Sequence, residues 1–312
     1  MQYVKTGGYN ISKYTLGTVQ LGMEYGIANK SGKPDMDKSF EIIRTALDGG
    51  INSIDTALLY GDSELVIGSF FSGSGYDWKQ ILLTTKFKLS PGENFSHKDV
   101  EKQLRGFVEQ SMERLKIRQL PVYMLHNPKD MTQYGKAVPE TLTKLQKEGL
   151  IGKAGVSVYT PAEVEEILKN DLYEAVQLPM NIFDTRFVKS GVLKKLHAAG
   201  KIVFVRSVFL QGLFFSDPSG LKGVLKEAEA PLRQLASMAE REGMSIAQLA
   251  LSYIRDMEGV TSLVIGAETP QQVRDNIQLV EGPGISEKTR SEAYKLFDGM
   301  SVRILDPNNW KG

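Results

Sequence analysis

The most constraining feature of this chain is a regular alternation of short apolar segments, typical of buried strands, with segments of helical periodicity. Parallel strands connected by helices either close into a (β/α)8 barrel or form an open, doubly wound sheet. No Gly-x-Gly-x-x-Gly motif follows an early strand, which favours an α/β fold of the (β/α)8 TIM barrel type. The eight predicted barrel strands span residues 15–19, 51–55, 80–86, 121–126, 152–157, 175–178, 201–206 and 262–266.

Two segments depart from this repeating pattern and predict additions to the barrel. A Gly-Gly pair within residues 1–14 separates two short polar and apolar stretches, which predicts an N-terminal β-hairpin cap. Residues 207–261 are more than one crossover needs, so extra helices are predicted between strands seven and eight. We expect residues 1–312 to form a single barrel domain. The extra helices are expected over residues 221–242 and 246–256.

The composition argues against several classes of function. Lys and Arg number 38 against 37 Asp and Glu, so a net charge of +1 gives no basis for binding nucleic acid or an anionic membrane, and it predicts no oligomeric state. The absence of cysteine excludes disulfides and thiolate ligands. Three scattered histidines leave no recognisable metal site, so a metal-dependent hydrolase on the same barrel lacks support. Without an apolar signal region or a membrane-spanning run, a cytoplasmic protein is expected.

Four polar side chains follow three consecutive predicted strands. Asp55 ends the second strand, Tyr60 follows in the next turn, Lys86 ends the third strand and His126 ends the fourth. Because the carboxyl ends of barrel strands meet at one face, where TIM-barrel enzymes carry their active sites, these side chains should converge. Taken singly, a lone aspartate is more often a cap and a lone tyrosine more often packs near the surface. The combination on consecutive strands predicts a catalytic cluster.

These residue types predict a particular proton chemistry. A tyrosine phenol has a reference pKa of about 10, and a nearby lysine ammonium oriented by a carboxylate is expected to lower it. Tyr60 would then give a proton to a carbonyl oxygen while neutral His126 donates an N–H to the same oxygen. Such a site offers neither a nucleophile nor a metal, so it suits reduction of a carbonyl by hydride from a bound nicotinamide.

Several motifs of the chain match those of a known family. They are Leu16-Gly-Thr18, Gly49-Gly-Ile-Asn-Ser-Ile-Asp-Thr-Ala57, Tyr60-Gly-Asp-Ser-Glu64, Thr85-Lys86, Leu125-His126, Gly155-Val-Ser157, Gln211-Gly-Leu213 and Ile265-Gly-Ala267. On these residues the chain resembles the aldo-keto reductase superfamily over nearly its whole length. The resemblance implies that Asp55, Tyr60, Lys86 and His126 are the family's catalytic tetrad. It also implies an NAD(P)H-dependent enzyme that reduces an aldehyde, ketone or sugar carbonyl.

The resemblance further implies that NADPH or NADH binds in an extended pose without a Rossmann motif. The nicotinamide would lie against Ser157 and Gln177, and a loop after strand seven would cover the pyrophosphate. The adenosine would lie where strand eight meets its helix, whose free N–H groups suit a phosphate. The implied cofactor contacts are Gly17, Thr18, Asp55, Ser157, Gln177, Arg206, Ser207, Val208, Leu210, Gly212, Gly266, Glu268, Gln272 and Asn276.

Three positions depart from the usual pattern of the family. Val158 stands where an asparagine usually holds the nicotinamide amide. Arg206 stands where many members have a tyrosine that stacks on the nicotinamide, although a guanidinium can stack too. NADPH-preferring relatives usually have Arg or Lys around the 2′-phosphate, whereas this chain has Glu268, with Arg274 only on a neighbouring helical position. Because a carboxylate repels a 2′-phosphate, we predict an NADPH preference that is weak or reversed.

The loops leave the substrate and one alternative function open. Residues 20–34 and 206–212 look similar to a bacterial subgroup often associated with sugar or polysaccharide pathways, which predicts better turnover of hydroxylated sugar-like carbonyls than of simple aromatic aldehydes. The alternative function is a regulatory subunit that keeps the barrel and binds the cofactor with little turnover. Five aromatic residues could line an apolar pocket above the nicotinamide or could equally well pack in the core: Tyr25, Phe87, Phe183, Phe209 and Phe214.

Overall fold

The computed structural model describes residues 1–27, 29, 32–90 and 96–310. Residues 28, 30 and 31, which belong to the stretch 20–34 discussed above, lie outside these ranges. The strands are β1 (Tyr3–Thr6), β2 (Tyr9–Ser12), β3 (Tyr14–Gly17), β4 (Ser53–Asp55), β5 (Leu82–Phe87), β6 (Leu120–Leu125), β7 (Ile151–Ser157), β8 (Tyr173–Pro179), β9 (Ile202–Arg206) and β10 (Ser262–Gly266).

The strands β3 to β10 close into a barrel in which each strand pairs in parallel with the next and β10 pairs with β3. Within the described part of the chain, these eight strands coincide with the eight predicted segments apart from small differences at their ends. The predicted (β/α)8 barrel is therefore confirmed. The predicted hairpin is confirmed as well, because β1 and β2 pair antiparallel with Tyr3 opposite Ser12 and Thr6 opposite Tyr9.

The hairpin packs against the amino-terminal end of the barrel. A Cβ on Gly7, in the turn of the hairpin, would contact the side chain of Ile202 at the start of β9. Ile11 of β2 is fully buried in an apolar cluster with barrel-strand residues. Because this packing fills one end, the chemistry must lie at the carboxyl end. The other buried members of the cluster are Leu82, Val122, Met124, Ala175, Ile202 and Phe204.

Helices cover the outside of the barrel. None of those among the described residues combines the length and the apolar character needed to cross a membrane. They are α1 (Val19–Gly22), α2 (Met36–Asp48), α3 (Ser63–Ser74), α4 (His97–Leu115), α5 (Ala137–Lys147), α6 (Pro161–Ile167), α7 (Arg186–Lys189), α8 (Val192–Ala198), α9 (Glu229–Arg241), α10 (Ile246–Arg255), α11 (Pro270–Glu281), α12 (Glu287–Leu296) and α13 (Val302–Leu305). Short 3₁₀ segments span Trp78–Gln80, Pro128–Met131, Leu210–Phe215, Pro218–Gly220, Gly223–Ala228 and Pro307–Trp310.

The segment between β9 and β10 contains the predicted extra helices, with one boundary corrected. The second, α10, begins after Ser245, whose side chain accepts a hydrogen bond from the backbone N–H of Gln248. The first was expected from residue 221, but α9 begins at Glu229. Gly223 has a φ of +56°, a left-handed conformation that interrupts helical geometry, and 3₁₀ turns occupy the preceding residues.

The strand register brings the polar strand ends to one face. Asp55 of β4 lies opposite Gly17 of β3 and Thr84 of β5. Ser157 of β7 lies opposite Gln177 of β8. Residues that are far apart in sequence therefore share the carboxyl end of the barrel.

Candidate active site

A buried ion pair lies at the carboxyl ends of β4 and β5. Nζ of Lys86 donates to both carboxylate oxygens of Asp55, over 2.8 and 2.9 Å, and to the carbonyl oxygen of Thr56 over 2.8 Å. Nε2 of Gln177 donates to Oδ1 of Asp55 over 2.6 Å. The side chains of Lys86 and Asp55 are 0% and 5% exposed. Because buried charges need compensation, the pair and its additional hydrogen bonds hold both groups in fixed positions.

Tyr60 and His126 lie beside this pair. Nζ of Lys86 is 5.1 Å from the centroid of the Tyr60 ring. The rings of Tyr60 and His126 meet edge to face, with centroids 5.8 Å apart. The backbone N–H of His126 donates to the carbonyl oxygen of Phe87 over 2.7 Å, which fixes the end of β6 against β5. The structure thus brings the four side chains of the predicted tetrad together.

The pKa of Tyr60 differs from the expectation. Lys86 uses its three N–H groups on Asp55 and Thr56, so none is left for the phenol. Burial, and after it the Asp55 carboxylate, raises the pKa of Tyr60 above its ordinary value, while the Arg206 guanidinium opposes the rise. The expected lowering of this pKa is wrong for this structure. The phenol is protonated at neutral pH, which is the state that a proton donor needs.

The two basic groups of the cluster shift in the opposite direction. Burial lowers the pKa of Lys86 below its ordinary value, and the carboxylate of Asp55 opposes that change. Burial lowers the pKa of His126 to about 3, assisted by the positive charges of Lys86, Arg206 and Lys88. The imidazole is therefore neutral at physiological pH, as expected, and a neutral imidazole carries one N–H donor.

Buried hydroxyl groups hold the turn that carries Tyr60. Oγ of Ser63 lies 3.0 Å from the carbonyl oxygen of Thr18 and 2.8 Å from its hydroxyl oxygen. The Thr18 hydroxyl donates to the carbonyl oxygen of Asp55 over 2.8 Å. Oγ of Ser63 also lies 2.9 Å from Oγ1 of Thr56. These contacts join the ends of β3 and β4 to the start of α3.

A cavity of about 410 Å³ opens at this end of the barrel. Asp55, Tyr60 and Gln177 line one part of it, and it extends past the ends of β3, β9 and β10 to α11. Its size is within the range of small-molecule and cofactor sites. The predicted cofactor contacts that line it are Gly17, Thr18, Asp55, Gln177, Arg206, Ser207, Val208, Gly212, Gly266, Glu268, Gln272 and Asn276.

Four predicted site residues are not among the lining residues. Lys86 and His126 contact the residues of the cavity wall described above. Ser157 is buried at the end of β7, beside Gln177. Leu210 is fully buried in the main apolar core, so its side chain packs away from the cavity.

The five aromatic residues considered for an apolar pocket divide between the cavity and the core. Tyr25 and Phe209 line the cavity. Phe87, Phe183 and Phe214 are buried in the main core instead, and the last two meet edge to face with centroids 4.9 Å apart. For these three residues the packing alternative holds, because aromatic side chains near strand ends also fill the layer between strands and helices.

Arg206 is a fixed cation in the cavity wall. Its guanidinium lies over the ring of Tyr159, 4.7 Å from the centroid, and Nη2 donates to the carbonyl oxygen of Val158 over 3.4 Å. Among the described residues that line the cavity, Arg206 is the only cation. Its positive charge acts on Tyr60 against burial and the carboxylate of Asp55, both of which have larger effects on the phenol.

The opposite part of the cavity carries carboxylates. Glu268 and Asp275 line it where β10 leads into α11. Oε1 of Gln272 accepts from the backbone N–H of Glu268 over 2.6 Å. Arg274 is absent from the described lining residues, and its Nε donates to Gln271 on the exposed side of α11 over 3.2 Å.

Two glutamines of the cavity wall, Gln20 and Gln211, are not among the predicted site residues. Nε2 of Gln211 donates to the hydroxyl of Tyr25 over 3.0 Å, so the loop after β9 contacts the loop after α1. Gln211 has a φ of +53°, and such strained backbone concentrates at functional sites. Gln20 lines the cavity beside Gly266. The signals in the sequence were the Gln-Gly pair at 211–212 and the position of Gln20 just after Gly-Thr at 17–18.

One family matches most of the chain. A model described as the Aldo/keto reductase family matches residues 13–291. The matched range contains every barrel strand, the predicted tetrad and the wall of the cavity.

Individual relatives match nearly end to end. The chain is 28% identical over 320 residues to the aldo-keto reductase YhdN of Bacillus subtilis, covering 96% of this chain and 93% of that protein. It is 27% identical over 330 residues to a putative voltage-gated potassium channel subunit beta of Schizosaccharomyces pombe, covering 95% and 92%. The solved holo form of aldo-keto reductase AKR11C1 from Bacillus halodurans has a TM-score of 0.77 at 24% identity, covering 95% and 96%, and thus shares the fold.

Proposed function

Because the chain belongs to the aldo/keto reductase family, we propose that it is an NAD(P)H-dependent oxidoreductase that reduces an aldehyde, ketone or sugar carbonyl to the alcohol. The observation that carries the proposal is the convergence of Asp55, Tyr60, Lys86 and His126 at the carboxyl end of the barrel, where Asp55 and Tyr60 line the cavity. A protonated phenol, an oriented ammonium and a neutral N–H donor are the groups that carbonyl reduction requires. We further propose that residues 1–312 act as one domain and that the protein works in the cytoplasm.

Each of these residues has a separate task. The hydroxyl of Tyr60 gives its proton to the carbonyl oxygen as negative charge develops there. The neutral imidazole of His126 donates its N–H to the same oxygen and orients the carbonyl. The ammonium of Lys86, 5.1 Å from the ring centroid, stabilises the phenolate that remains on Tyr60. Asp55 keeps the ammonium in place through two hydrogen bonds.

The cavity is the proposed site of an extended dinucleotide, which would supply the hydride when bound. Gln177 and Ser157 would hold the nicotinamide, the loop 207–212 the pyrophosphate, and the start of α11 the adenosine. A Cβ on Gly266 would overlap the carboxamide of Gln20, so only glycine leaves the cavity open at that point.

We propose that NADH binds better than NADPH. Glu268 and Asp275 line the part of the cavity assigned to the adenosine, where a 2′-phosphate would meet negative charge. The cation of the described wall, Arg206, lines the part that carries the tetrad instead. A 2′-hydroxyl, unlike a phosphate, can donate a hydrogen bond to a carboxylate.

The substrate class is proposed from the loops. We expect a hydroxylated, sugar-like carbonyl to be reduced with higher kcat/KM than a simple aromatic aldehyde. A panel that compares glyceraldehyde and aldoses with benzaldehydes under matched conditions tests this expectation. The reverse ranking would contradict the sugar assignment and leave the reductase assignment intact.

A second candidate function is a regulatory subunit that binds the cofactor and turns over little. The similarity to the putative potassium channel subunit beta favours it. A phenylalanine in place of Tyr60 would have supported this second function, because the proton donor would be missing. The complete set of Asp55, Tyr60, Lys86 and His126 favours the enzyme.

The deciding experiment mixes the protein with NADH or NADPH and 4-nitrobenzaldehyde and follows the cofactor absorbance. Tyr60→Phe removes the proton donor and keeps the ring. We expect oxidation of the cofactor by the wild type and a nearly complete loss in Tyr60→Phe. Binding of cofactor without turnover of any carbonyl across a broad panel would favour the regulatory subunit.

A further inference from the structure

The turn that carries Tyr60 is also held from outside the barrel. Arg114 lies in the last turn of α4, and its Nη2 donates to the carbonyl oxygen of Gly61, the residue that follows Tyr60. Nε of Arg114 lies 3.7 Å from Oε2 of Glu64 in the first turn of α3. The side chains of Arg114 and Glu64 are 19% and 0% exposed. The chemistry described above uses neither residue.

Glu64 extends this contact to β5. Its Oε1 accepts a hydrogen bond from the hydroxyl of Thr85 over 2.6 Å. Thr85 directly precedes Lys86 in the strand. A chain of polar contacts through Arg114 and Glu64 therefore joins the turn that carries the phenol to the strand that carries the ammonium.

The packing around this chain of contacts leaves the turn little freedom. A Cβ on Gly68 of α3 would overlap the backbone carbonyl oxygen of Arg114. The backbones of α3 and α4 are therefore in contact at Arg114. Gly61 has a φ of +54°, and a Cβ there would overlap the carbonyl oxygen of Gly22. The turn is thus bounded by α1 and tied by a hydrogen bond to α4.

The charges of Arg114 and Glu64 also stabilise each other. Burial raises the pKa of Glu64, and its hydrogen bond with Thr85 and the charge of Arg114 oppose the rise. Removing one member of a buried charged pair leaves the other uncompensated, which costs more than the pair contributes. Loss of the Arg114 guanidinium would therefore release Gly61. It would also disturb Glu64, which connects Arg114 to Thr85 of β5.

We propose that Arg114 is a positioning residue for the reaction: by holding Gly61 and pairing with Glu64, it fixes the Tyr60 phenol relative to Lys86. The inference rests on the proposed function. It goes beyond it because Arg114 touches none of the reacting groups. A displacement of about 1 Å at a reacting group costs on the order of 100-fold in rate, so the effect should fall on kcat.

The test compares three variants of arginines in α4. Arg114→Met removes both the hydrogen bond and the charge. Arg114→Lys keeps the positive charge but replaces the guanidinium with an ammonium, whose hydrogen-bonding geometry differs. Arg105→Met is the matched control, because Arg105 lies on the same helix and pairs with Glu148 at the surface. We expect Arg114→Met to lower kcat roughly 10- to 100-fold with KM and the cofactor Kd unchanged. Arg114→Lys should recover part of the loss, and Arg105→Met should behave as wild type.

A double-mutant cycle with Tyr60→Phe separates positioning from general destabilisation. If Arg114 acts through the phenol, Arg114→Met should cause no further loss in the Tyr60→Phe background, where residual turnover is measured at high enzyme concentration. An equal loss in both backgrounds, or an unchanged kcat in Arg114→Met, would overturn the inference. Should Arg114→Met fail to fold, Glu64→Gln replaces it in the same cycle with the same criteria.

The same measurements separate this inference from the proposed function. Wild-type turnover that is lost in Tyr60→Phe but intact in Arg114→Met would overturn only the role of Arg114. Absence of wild-type turnover, or full activity of Tyr60→Phe, would overturn the proposed function and this inference with it.

Discussion

Gly22 packs against Tyr60 so closely that a Cβ on Gly22 would overlap the carbonyl oxygen of Tyr60. The same Cβ would lie 2.7 Å from the backbone nitrogen of Ser63. Gly22 ends α1, the short helix that follows β3. The backbone of α1, which follows the first barrel strand, therefore lies directly behind the turn that carries the phenol and helps to shape the site.

Gly22→Ala should lower both stability and activity. The added methyl group meets backbone atoms, which cannot rotate away, so we expect a loss of about 1–3 kcal/mol in the free energy of unfolding and a lower kcat. Gly106→Ala is the control, since a Cβ there meets nothing within 4 Å in the exposed face of α4. It should stabilise the protein by about 0.5–1 kcal/mol. Urea unfolding and steady-state kinetics measure the stability and kcat of both variants. A Gly22→Ala protein with the stability and kcat of the wild type would refute the steric argument.

His126 should remain neutral down to acidic pH. Its folded pKa of about 3 lies below the ordinary value of 6.5, so the fold favours the neutral form. The associated stability is complete above pH 6.5 and is lost as the pH falls from 6.5 toward 3. We therefore expect the pH profile of the reduction rate to show no ionisation of this histidine between about pH 5 and 8. Imidazole NMR signals, assigned by their loss in His126→Asn, measure it directly; a titration of this imidazole near neutral pH would contradict the prediction.

Asp130 is a buried acid with the opposite dependence on pH. It lies in the 3₁₀ turn after β6, and its carboxyl group accepts hydrogen bonds from the backbone N–H of Leu89 over 3.3 Å and from Nδ2 of Asn127 over 3.0 Å. Burial raises its pKa from 3.8 to about 6. The fold therefore favours the protonated form, and this contribution to stability is present below pH 3.8 and lost as the pH rises through 6.

The stability of Asp130→Asn relative to the wild type should consequently increase as the pH rises. The neutral amide keeps one acceptor oxygen and has no carboxylate to desolvate. We expect the difference in unfolding free energy between variant and wild type to move in favour of the variant by about 1–3 kcal/mol between about pH 4 and 7. Urea unfolding at both pH values measures it. A difference that does not change with pH would show that Asp130 titrates normally.

The barrel and the tetrad could be predicted because their signals are local. The strand β6 is an apolar run that ends at a histidine, and β5 is one whose lysine follows two threonines. Each polar residue closes a run that must be buried, so the strand and its functional end are read from the same few residues. The hairpin was predictable for a similar reason, because Gly7-Gly8 permits its turn.

Other features depend on contacts that no local pattern specifies. Both Asp35 and Asp37 could cap α2, and the structure uses Asp35, which accepts from the backbone N–H of Lys38. The contact between Arg114 and Gly61 joins the end of α4 to the turn that precedes α3, between residues that are 53 positions apart in the sequence. The raised pKa of Tyr60 follows from burial, which emerges only when the barrel closes. The chemical groups are therefore readable from the sequence, whereas the contacts that support them and their pKa values arise only in the folded chain.

The carboxylate of Glu268 should control the choice of cofactor. Glu268→Gln replaces it with a neutral group of the same shape, so NADPH should gain about fivefold in affinity relative to NADH. Asp275→Asn should act in the same direction, since both residues line the part of the cavity assigned to the adenosine. Glu287→Gln is the control, because the side chain of Glu287 is 92% exposed on α12. Fluorescence titrations with both cofactors give the ratios; an equal ratio in wild type and Glu268→Gln would refute the proposed basis of NADH preference.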